Sequence, residues 1–494
     1  MTSADNDIGL RHPELWDTPD RMRKELANTM GHIYRHGMTT TSGGNLSAID
    51  GLGNIWITPS GTDKGSLMPD DVVCVAPDGT VEGLHRPSME YPLHREVYKT
   101  RPDIRALIHA HPPVLTSFSI VHRIPDTSVV REWRKICRSV GYAGYAIPGS
   151  SNMAEMVASE FSKGHDAVIM ENHAVVAGGR DLAEALARLE ALECCAGAIH
   201  AAGFIGEVVI PEYAPEDLFD QPSGTDVSLS GGHPTDGYVD LPGRDSALGS
   251  GGDTMSKDEE LLADEICRMA VRACNRGLMY GYCGTVSARS GSDSYLITPK
   301  NILRCELTRQ DITMVRPGEV TGNLTPSNGS TITGGDTPSG GSVPSDGSTR
   351  TGGICSSGNT WLIPEIYRRF TTVNAVIMTQ PMYLMAFAVT GKEIDVRTIP
   401  ESWLLLRKIP VVPATALTLE KEEIFAKLAA GSPSVLISND SVLVTGENLL
   451  QAFDRLEVAE MTARSLIVGQ SLGPVKPISS QDISELRKAF GIAE

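Results

Sequence analysis

The sequence lacks the long apolar stretch that a membrane-spanning helix requires. Such a helix needs about 18 consecutive apolar residues, and no run approaches that length, although 41% of the 494 residues are hydrophobic. The first twenty residues are polar and acidic, so they lack the basic start and the apolar core of a signal peptide. We therefore expect a protein of the cytoplasm.

Closely spaced cysteine pairs are also missing. The nine cysteines contain no C-x-x-C pair, which excludes the spacing of a cysteine zinc site and gives no disulfide framework. We expect reduced thiols that are mostly packed in the interior.

Positive charge is scarce. The chain has 43 Lys and Arg residues against 61 Asp and Glu residues, which gives a formal net charge of −18. A large nucleic-acid interface depends on clustered Lys and Arg, so we expect no nucleic-acid partner. A phosphorylated small molecule needs only local positive potential and is compatible with this charge.

Two segments contain almost no large apolar residues. Residues 214–255 and 318–356 are rich in Gly, Ser, Thr, Pro and Asp, and such segments cannot bury enough surface to fold on their own. We interpret the first as a linker and the second as an insertion that replaces a functional loop. The predicted domains are residues 1–213 and residues 256–480.

The sequence before the linker is repeated after it. Both copies begin with a helix, and in the second copy Ser256 and Glu259 form a capping box. The same motifs then follow at a constant offset, which matches Gly37 with Gly277, Gly44 with Gly284, Ser47 with Ser287 and Asp71 with Asp311. Each copy alternates helical stripes with short β-type runs, and this alternation predicts an α/β fold.

Three histidines of the first copy suggest a metal site. His109 and His111 lie two residues apart in a β-type run and therefore share one face. His173 follows another apolar run at a tight turn. Three neutral imidazoles that leave one coordination position open are a catalytic zinc arrangement, although imidazoles also suit iron, cobalt, nickel or copper. The alternative is that these are ordinary core or surface histidines.

Polar residues elsewhere in the first copy are candidates for the same site. Glu90 opens a helix that runs to about Thr100, where the helix dipole favours a carboxylate in any case. The turn pairs Gly44-Asn45 and Ser60-Gly61 have backbone N–H groups that could bind an anion. Ordinary loops are the alternative for both pairs.

Five motifs carry a resemblance to a known family. In order they are SGGNLS, ITPSG, PSME, HAHP and NHAVVAGG, and with this spacing they resemble the class II aldolase/adducin family, of which fuculose-phosphate aldolase is typical. The resemblance covers nearly all of residues 20–205 and extends to residues 256–470. It implies tandem three-layer α/β/α domains around a mostly antiparallel central sheet. It also implies the cyclic tetramer that is usual in the family, with sites between subunits.

The resemblance assigns a role to each candidate residue. His109, His111 and His173 would bind zinc, and Glu90 would be the acid/base with a pKa raised by burial. Gly44, Asn45, Ser60, Gly61 and Ser88 would line the pocket for the substrate's phosphate. The implied reaction is retro-aldol cleavage of a ketose or ketose phosphate through a metal-stabilised enediolate.

Two features depart from the family pattern. The phosphate pocket often reads Ser-Ser-Glu in the family, but Met89 stands at the middle position here and removes a hydroxyl donor. The residue that a neighbouring subunit contributes to the site has no clear match. Arg131 and Arg134 are candidates, with a solvated helix face as the alternative.

The second copy has lost the candidate site. His109, His111 and His173 correspond to Met378, Gln380 and Asp440, while Glu90 corresponds to Asn359. Asn45 corresponds to Thr285, and Ser60-Gly61 to Lys300-Asn301. Our hypothesis is that the second copy is a built-in neighbour that completes the first, so that two chains form a pseudo-fourfold homo-oligomer. A decayed passenger domain is the alternative.

Three classes of function fit these observations. The first is a zinc-dependent class II aldolase. Members of the same family include an epimerase, a dehydratase and a decarboxylase of sugar phosphates, and Glu90 favours the aldolase because epimerase relatives tend to have Asp there. The third class is a non-catalytic, adducin-like interaction protein, but such a protein has no need for three converging histidines beside a carboxylate.

Overall fold

The computed structural model describes residues 18–211, 255–300, 302–316 and 361–492. The predicted linker 214–255, apart from Met255, and the predicted insertion 318–356 lie outside these residues. Within the described part, no helix is long and apolar enough to cross a membrane. The eight cysteines found there are free thiols, and all except Cys305 are buried, as predicted.

The first copy consists of helices on both faces of one sheet. Its helices are α1 (Pro19–Arg35), α2 (Tyr91–Thr100), α3 (Pro113–Ile120), α4 (Arg131–Cys137), α5 (Ser151–Ser162) and α6 (Leu182–Ala202). Its strands are β1 (Asn45–Ile49), β2 (Ile55–Ile57), β3 (Val73–Val75), β4 (Val81–Glu82), β5 (Ala106–Ala110), β6 (Val140–Ala143), β7 (Ala167–Met170) and β8 (Ala174–Gly179). Short 3-10 turns lie at Lys64–Ser66, Pro69–Asp71 and Thr127–Val129.

The sheet of the first copy has the strand order β4-β3-β2-β1-β5-β8-β7-β6. Neighbouring strands are antiparallel except for β6 and β7. Because side chains alternate along a strand, Leu107 and Val176 pack with α2 and α5 on one face, while Ile108 and Val175 pack with α1, α3, α4 and α6 on the other. The sheet is therefore the middle of three layers.

Helix α1 shows how the sequence produces these layers. Pro19 occupies the first turn, where its missing N–H removes no hydrogen bond. Met22, Leu26 and Ile33 follow at helical spacing and are buried against the sheet. The helix ends before Gly37, whose φ of 68° lies in the left-handed region that favours glycine.

The second copy is built from corresponding elements. Its helices are α7 (Lys257–Asn275), α8 (Leu362–Arg369), α9 (Met382–Thr390), α10 (Pro400–Leu406), α11 (Glu422–Ala429), α12 (Leu449–Leu472) and α13 (Ser480–Ala489). Its strands are β9 (Thr285–Arg289), β10 (Tyr295–Ile297), β11 (Thr313–Val315), β12 (Ala375–Thr379), β13 (Val411–Val412), β14 (Ser434–Ile437) and β15 (Ser441–Gly446). The predicted capping box is present at the start of α7. Helix α13 was not predicted, although Ser479 caps it by accepting from the N–H of Asp482.

The two sheets share one topology. The second has the order β11-β10-β9-β12-β15-β14-β13, which is the first order without a counterpart of β4 among the residues that the structure describes. The register agrees as well, because Asn45 lies opposite His109 in the first sheet and Thr285 lies opposite Met378 in the second. The fold is the predicted tandem of three-layer α/β/α domains with a mostly antiparallel central sheet.

The two copies pack directly against each other. One cluster of buried apolar residues runs through both, and α6 lies along α9. Glu190 of α6 accepts a hydrogen bond of 2.6 Å from the N–H of Gly281 and lies 2.6 Å from His32 Nε2. Asn439 of the second copy donates to the carbonyls of Val129 and Val209, both at 2.8 Å. The second copy therefore shares a core with the first.

A glycine pair tests how tightly this interface is packed. A Cβ atom at Gly281 would lie 2.8 Å from the Cα atom of Ala187 in α6, whereas a Cβ atom at Gly277 would meet nothing within 4 Å. Both glycines have positive φ angles, so alanine is strained at either position. We expect Gly281→Ala to lower the free energy of unfolding by about 1–3 kcal/mol more than Gly277→Ala does, because only Gly281→Ala overpacks the interface. Urea unfolding of both variants measures this difference, and equal losses would contradict the packing described here.

Candidate metal centre and active site

Three histidines of the first copy form a cluster at one end of its sheet. His109 lies in β5, His111 follows the same strand, and His173 occupies the turn between β7 and β8. Their ring centroids are separated by 4.8 Å, 4.9 Å and 5.4 Å. One nitrogen from each ring lies within 4.8 Å of the others, which makes this the one group in the described residues that could hold a metal ion.

The turn that presents His173 has a defined local cause. Asn172 has a φ of 53°, a left-handed conformation that asparagine tolerates better than most residues. The N–H of His173 donates to the carbonyl of Met170, which closes the turn. Because β8 pairs with β5 and Val176 lies opposite His109, the turn brings His173 beside the other two histidines.

The ring nitrogens of the cluster differ in their hydrogen-bond partners. His109 Nδ1 lies 3.2 Å from the carbonyl of Val175, so this nitrogen carries a proton and donates it to the carbonyl. Nε2 is then the atom of His109 that can bind a metal, with a backbone carbonyl fixing the tautomer. The buried Nδ1 atom of His111 has no hydrogen-bond partner among the described residues.

Burial keeps two of these rings neutral. Burial, together with the neighbouring His109, lowers the pKa of His111 to about 3 and the pKa of His173 to about 4. Metals bind the neutral form of imidazole. Neutral rings, an unpartnered buried nitrogen and three converging donors therefore fit a divalent cation with one coordination position left open.

Glu90 faces this cluster and does not cap its own helix. It stands immediately before α2, but its side chain makes no capping hydrogen bond there. Its carboxylate lies 3.1 Å from His109 Nε2 and 3.7 Å from His173 Nε2, and it accepts a hydrogen bond of 2.6 Å from the side chain of Asn45. These contacts do not fit a purely structural first-turn carboxylate.

The sequence-based expectation of a raised Glu90 pKa was wrong. Burial does raise the pKa of Glu90, but the opposing effects of His109, the Asn45 hydrogen bond and His173 together outweigh burial. The pKa of Glu90 therefore lies below its ordinary value, and the side chain is an ionised acceptor at neutral pH.

The predicted pocket residues lie on three segments: the turn into β1, the loop after β2 and the segment before α2. A Cβ atom at Gly44 would lie 2.7 Å from the carbonyl oxygen of His109, and its φ is +70°, so glycine is required for this close approach. The N–H of Ser60 donates to the carbonyl of Arg86, which places Ser60 and Gly61 beside the segment that leads to Ser88. The Ser88 hydroxyl accepts a hydrogen bond of 3.2 Å from the N–H of Glu90.

The side chains of Asn45 and Met89 differ in their availability for a ligand. Both ends of the Asn45 side-chain amide are engaged within the protein, by Glu90 and by His94. The side chain of Met89 is 73% exposed. The Asn45 amide is therefore already paired, whereas the Met89 side chain is accessible from solvent.

Among the described residues of the second copy, the positions equivalent to the three histidines contain no converging metal ligands. Met378, Gln380 and Asp440 are all buried, and burial raises the pKa of Asp440. Asp440 accepts a hydrogen bond of 2.8 Å from its neighbour Ser441. Lys300 is half-buried, whereas Asn301 and Asn359 lie outside the described residues.

Neither Arg131 nor Arg134 lies on a fully solvated helix face. Both residues are half-buried in α4. Arg131 lies close enough to Asp440 of the second copy that its charge lowers the pKa of that carboxyl against the larger effect of burial. The helix therefore faces the altered site of the second copy.

His94 was missed by the sequence analysis. It lies four residues after Glu90 on α2 and is fully buried, with its ring 2.5 Å from the side-chain oxygen of Asn45. The spacing of four places both residues on one helix face, and this was the available signal.

Sequence comparison identifies the family. The profile of the Class II Aldolase and Adducin N-terminal domain matches residues 24–199 and 264–467. The chain belongs to this family. Both copies are thus class II aldolase domains, and the histidine cluster lies in the first of them.

The relatives of this class II aldolase chain correspond to one copy each. An L-fuculose phosphate aldolase from Methanocaldococcus jannaschii is 33% identical over 172 residues, which are 35% of this chain and 91% of the relative. A 3-oxo-tetronate 4-phosphate decarboxylase from Escherichia coli K12 is 30% identical over 176 residues, which are 35% of this chain and 82% of the relative. A solved L-fuculose 1-phosphate aldolase is 29% identical, covers 42% of this chain and 94% of its own, and has a TM-score of 0.37.

Metal content tests the histidine cluster. We expect about one divalent ion per chain, because the described residues contain one suitable group, and we expect the His109→Ala, His111→Ala double variant to lose it. A His165→Ala, His200→Ala double variant is the matched control and should retain the metal. Mass spectrometry of the purified proteins measures the ion, and a wild-type protein without metal, or a cluster variant that retains it, would refute the assignment.

Proposed function

We propose that the first copy is a zinc-dependent carbon–carbon lyase of the aldolase type that cleaves a ketose phosphate or a ketose. The observation that carries this proposal is the convergence of His109, His111 and His173 on the carboxylate of Glu90. We assign catalysis to residues 1–213 and a supporting role to residues 256–480.

The chain's own residues supply the binding and the proton transfer. His109, His111 and His173 would hold the ion, which when bound supplies a Lewis acid for the oxygens of the substrate. Glu90, within 4 Å of two of these rings, would move a proton to or from the substrate carbon beside the broken bond. Asn45 holds the carboxylate in place through its hydrogen bond.

The substrate's phosphate would bind where three segments of the first copy meet. Gly44 and Asn45 lie at the start of β1, Ser60 and Gly61 follow β2, and Ser88 lies just before Glu90. We propose a phosphorylated substrate because the relatives named above carry a sugar phosphate in their names. The donors would be the hydroxyls of Ser60 and Ser88 and backbone N–H groups other than that of Ser60, which already donates to Arg86.

A decarboxylase is the second candidate, because one relative is a 3-oxo-tetronate 4-phosphate decarboxylase. Loss of CO₂ from such a substrate leaves a carbanion similar to that of the aldol cleavage. The same ion and Glu90 could therefore serve the decarboxylation. An adducin-like scaffold without catalysis is the remaining alternative. It gives no reason for neutral, buried histidines around a carboxylate.

Substitution of Glu90 tests the proposal. We expect Glu90→Gln to lower kcat by about 10²–10⁴-fold, the usual contribution of general acid–base catalysis, while the metal content stays unchanged. Glu96→Gln removes an exposed carboxylate from the same helix and should leave kcat unchanged. Aldehyde release from ketose 1-phosphates and CO₂ release from oxo-acid phosphates distinguish the aldolase from the decarboxylase. A metal-loaded protein that cleaves none of these substrates would favour the scaffold.

We also propose that two chains pair, with the second copy of one covering the first copy of the other. Within one chain, the face of α6 that includes Cys194 and Ala201 is buried against α9. The corresponding face of α12 is exposed, with Met461 at 40% and Val468 at 50%. Its natural partner is α3, the counterpart of α9.

The complementary face on α3 is also exposed in a single chain. Ile120 is 57% exposed, whereas its counterpart Val389 in α9 is fully buried. The ion pairs of the two copies correspond as well. Glu457 in α12 pairs with exposed Arg272, and the matching residues of the first copy, Glu190 and His32, also pair. Since α3 follows His111 directly, this pairing would close over the metal site.

A substitution on α12 tests the pairing. We expect the wild-type chain to sediment as a dimer at micromolar concentration and Val468→Glu to dissociate it, because the new charge would be buried in the interface. Leu52→Glu, at an 82% exposed position in the β1–β2 turn, is the matched control and should leave the dimer intact. A wild-type monomer, or a dimer that tolerates Val468→Glu, would argue against this interface.

A further inference from the structure

A chain of buried hydrogen bonds runs from Glu90 into the interior of the first copy. The Asn45 side chain contacts Glu90 at 2.6 Å and His94 Nε2 at 2.5 Å. His94 Nδ1 lies 2.6 Å from the Ser47 hydroxyl, and that hydroxyl lies 2.6 Å from the hydroxyl of Tyr98. All five side chains are at least 90% buried.

The direction of these hydrogen bonds is set at the Glu90 carboxylate. The Asn45 amide donates from its N–H₂ group to the Glu90 carboxylate and therefore turns its oxygen toward His94. His94 must then donate from Nε2. Burial lowers the pKa of His94 to about 3, so the ring is neutral and its Nδ1 accepts from Ser47, which in turn accepts from Tyr98. Every donor thus points toward Glu90.

The second copy provides an internal comparison. Tyr367 donates to Ser287 at 3.1 Å, which repeats the contact between Tyr98 and Ser47. The positions of His94 and Asn45 are occupied there by Ile363 and Thr285, both buried. The fold therefore accepts an apolar side chain at the position of His94. The imidazole is present in the copy that has the three histidines and Glu90.

We infer that His94 is a positioning residue that fixes the Asn45 amide and, through it, aims the Glu90 carboxylate at the histidine cluster. This inference rests on the proposed function for its catalytic consequence. A buried amide without His94 would leave its oxygen unpaired, and Asn45 could then turn away from Glu90. The imidazole thereby acts on the reaction without touching the substrate.

A double-mutant cycle tests this role. We expect His94→Ile, which introduces the residue of the second copy, to lower kcat about 10- to 100-fold, as the loss of an outer-shell partner usually does, with the metal content retained. We expect His94→Gln to restore most of this loss, because its amide can donate to Asn45. In a Glu90→Gln background His94→Ile should lower kcat no further, because His94 acts through Glu90.

Additive losses in the cycle, or an unchanged kcat in His94→Ile, would overturn the inference. Tyr367→Phe, which removes the matching buried contact from the second copy, should leave kcat unchanged and controls for a general loss of stability. Thermal unfolding of each variant shows whether it is folded.

A measurement without substrate separates this inference from the proposed function. Nitrogen-15 spectra of labelled histidines should show His94 at neutral pH as the tautomer protonated at Nε2, with its signal identified by its loss in His94→Gln. An Nδ1-protonated or charged ring would overturn the hydrogen-bond direction. If the tautomer is as expected but no lyase activity is found, the proposed function fails while the positioning of Glu90 by His94 stands.

Discussion

The pairing of β5 with β1 on one side and β8 on the other is the constraint on which the candidate site depends. Backbone hydrogen bonds place His109 opposite Asn45 of β1 on one side and opposite Val176 of β8 on the other. The turn before β8 then carries His173 to the cluster, and the loop before β1 carries Gly44 against the carbonyl of His109. Side chains from distant parts of the chain therefore meet because three strands share one register.

Burial then determines the chemical state of the residues that meet. Removal from water favours neutral rings at His111 and His173, and neutral rings are the form that binds metal. The carboxylate of Glu90 is also buried, but it is surrounded by groups that stabilise its negative charge. The same desolvated region thus contains neutral donors and an ionised acceptor side by side, which is a common feature of catalytic sites.

Much of the fold and the core of the site could be predicted from the sequence, because both rest on local patterns. The repeated motifs predicted two copies of one fold, and the alternation along β5 predicted that His109 and His111 share a face. Contacts that depend on tertiary packing were not accessible in this way. The position of Arg131 beside Asp440, the network behind Asn45, and the direction of the Glu90 pKa all arise from segments that are far apart in sequence.

The shared core of the two copies would allow the roles proposed for them to be divided within one polypeptide. In an assembly of identical single-copy subunits, each subunit has to provide both a reacting site and a face that supports its neighbour, and every substitution alters both. Here Met378, Gln380 and Asp440 stand where ligands would be, while the backbone around them keeps the register of the first copy. Under the proposed roles, the second copy could change its sequence at these positions without cost to the copy that carries the histidines.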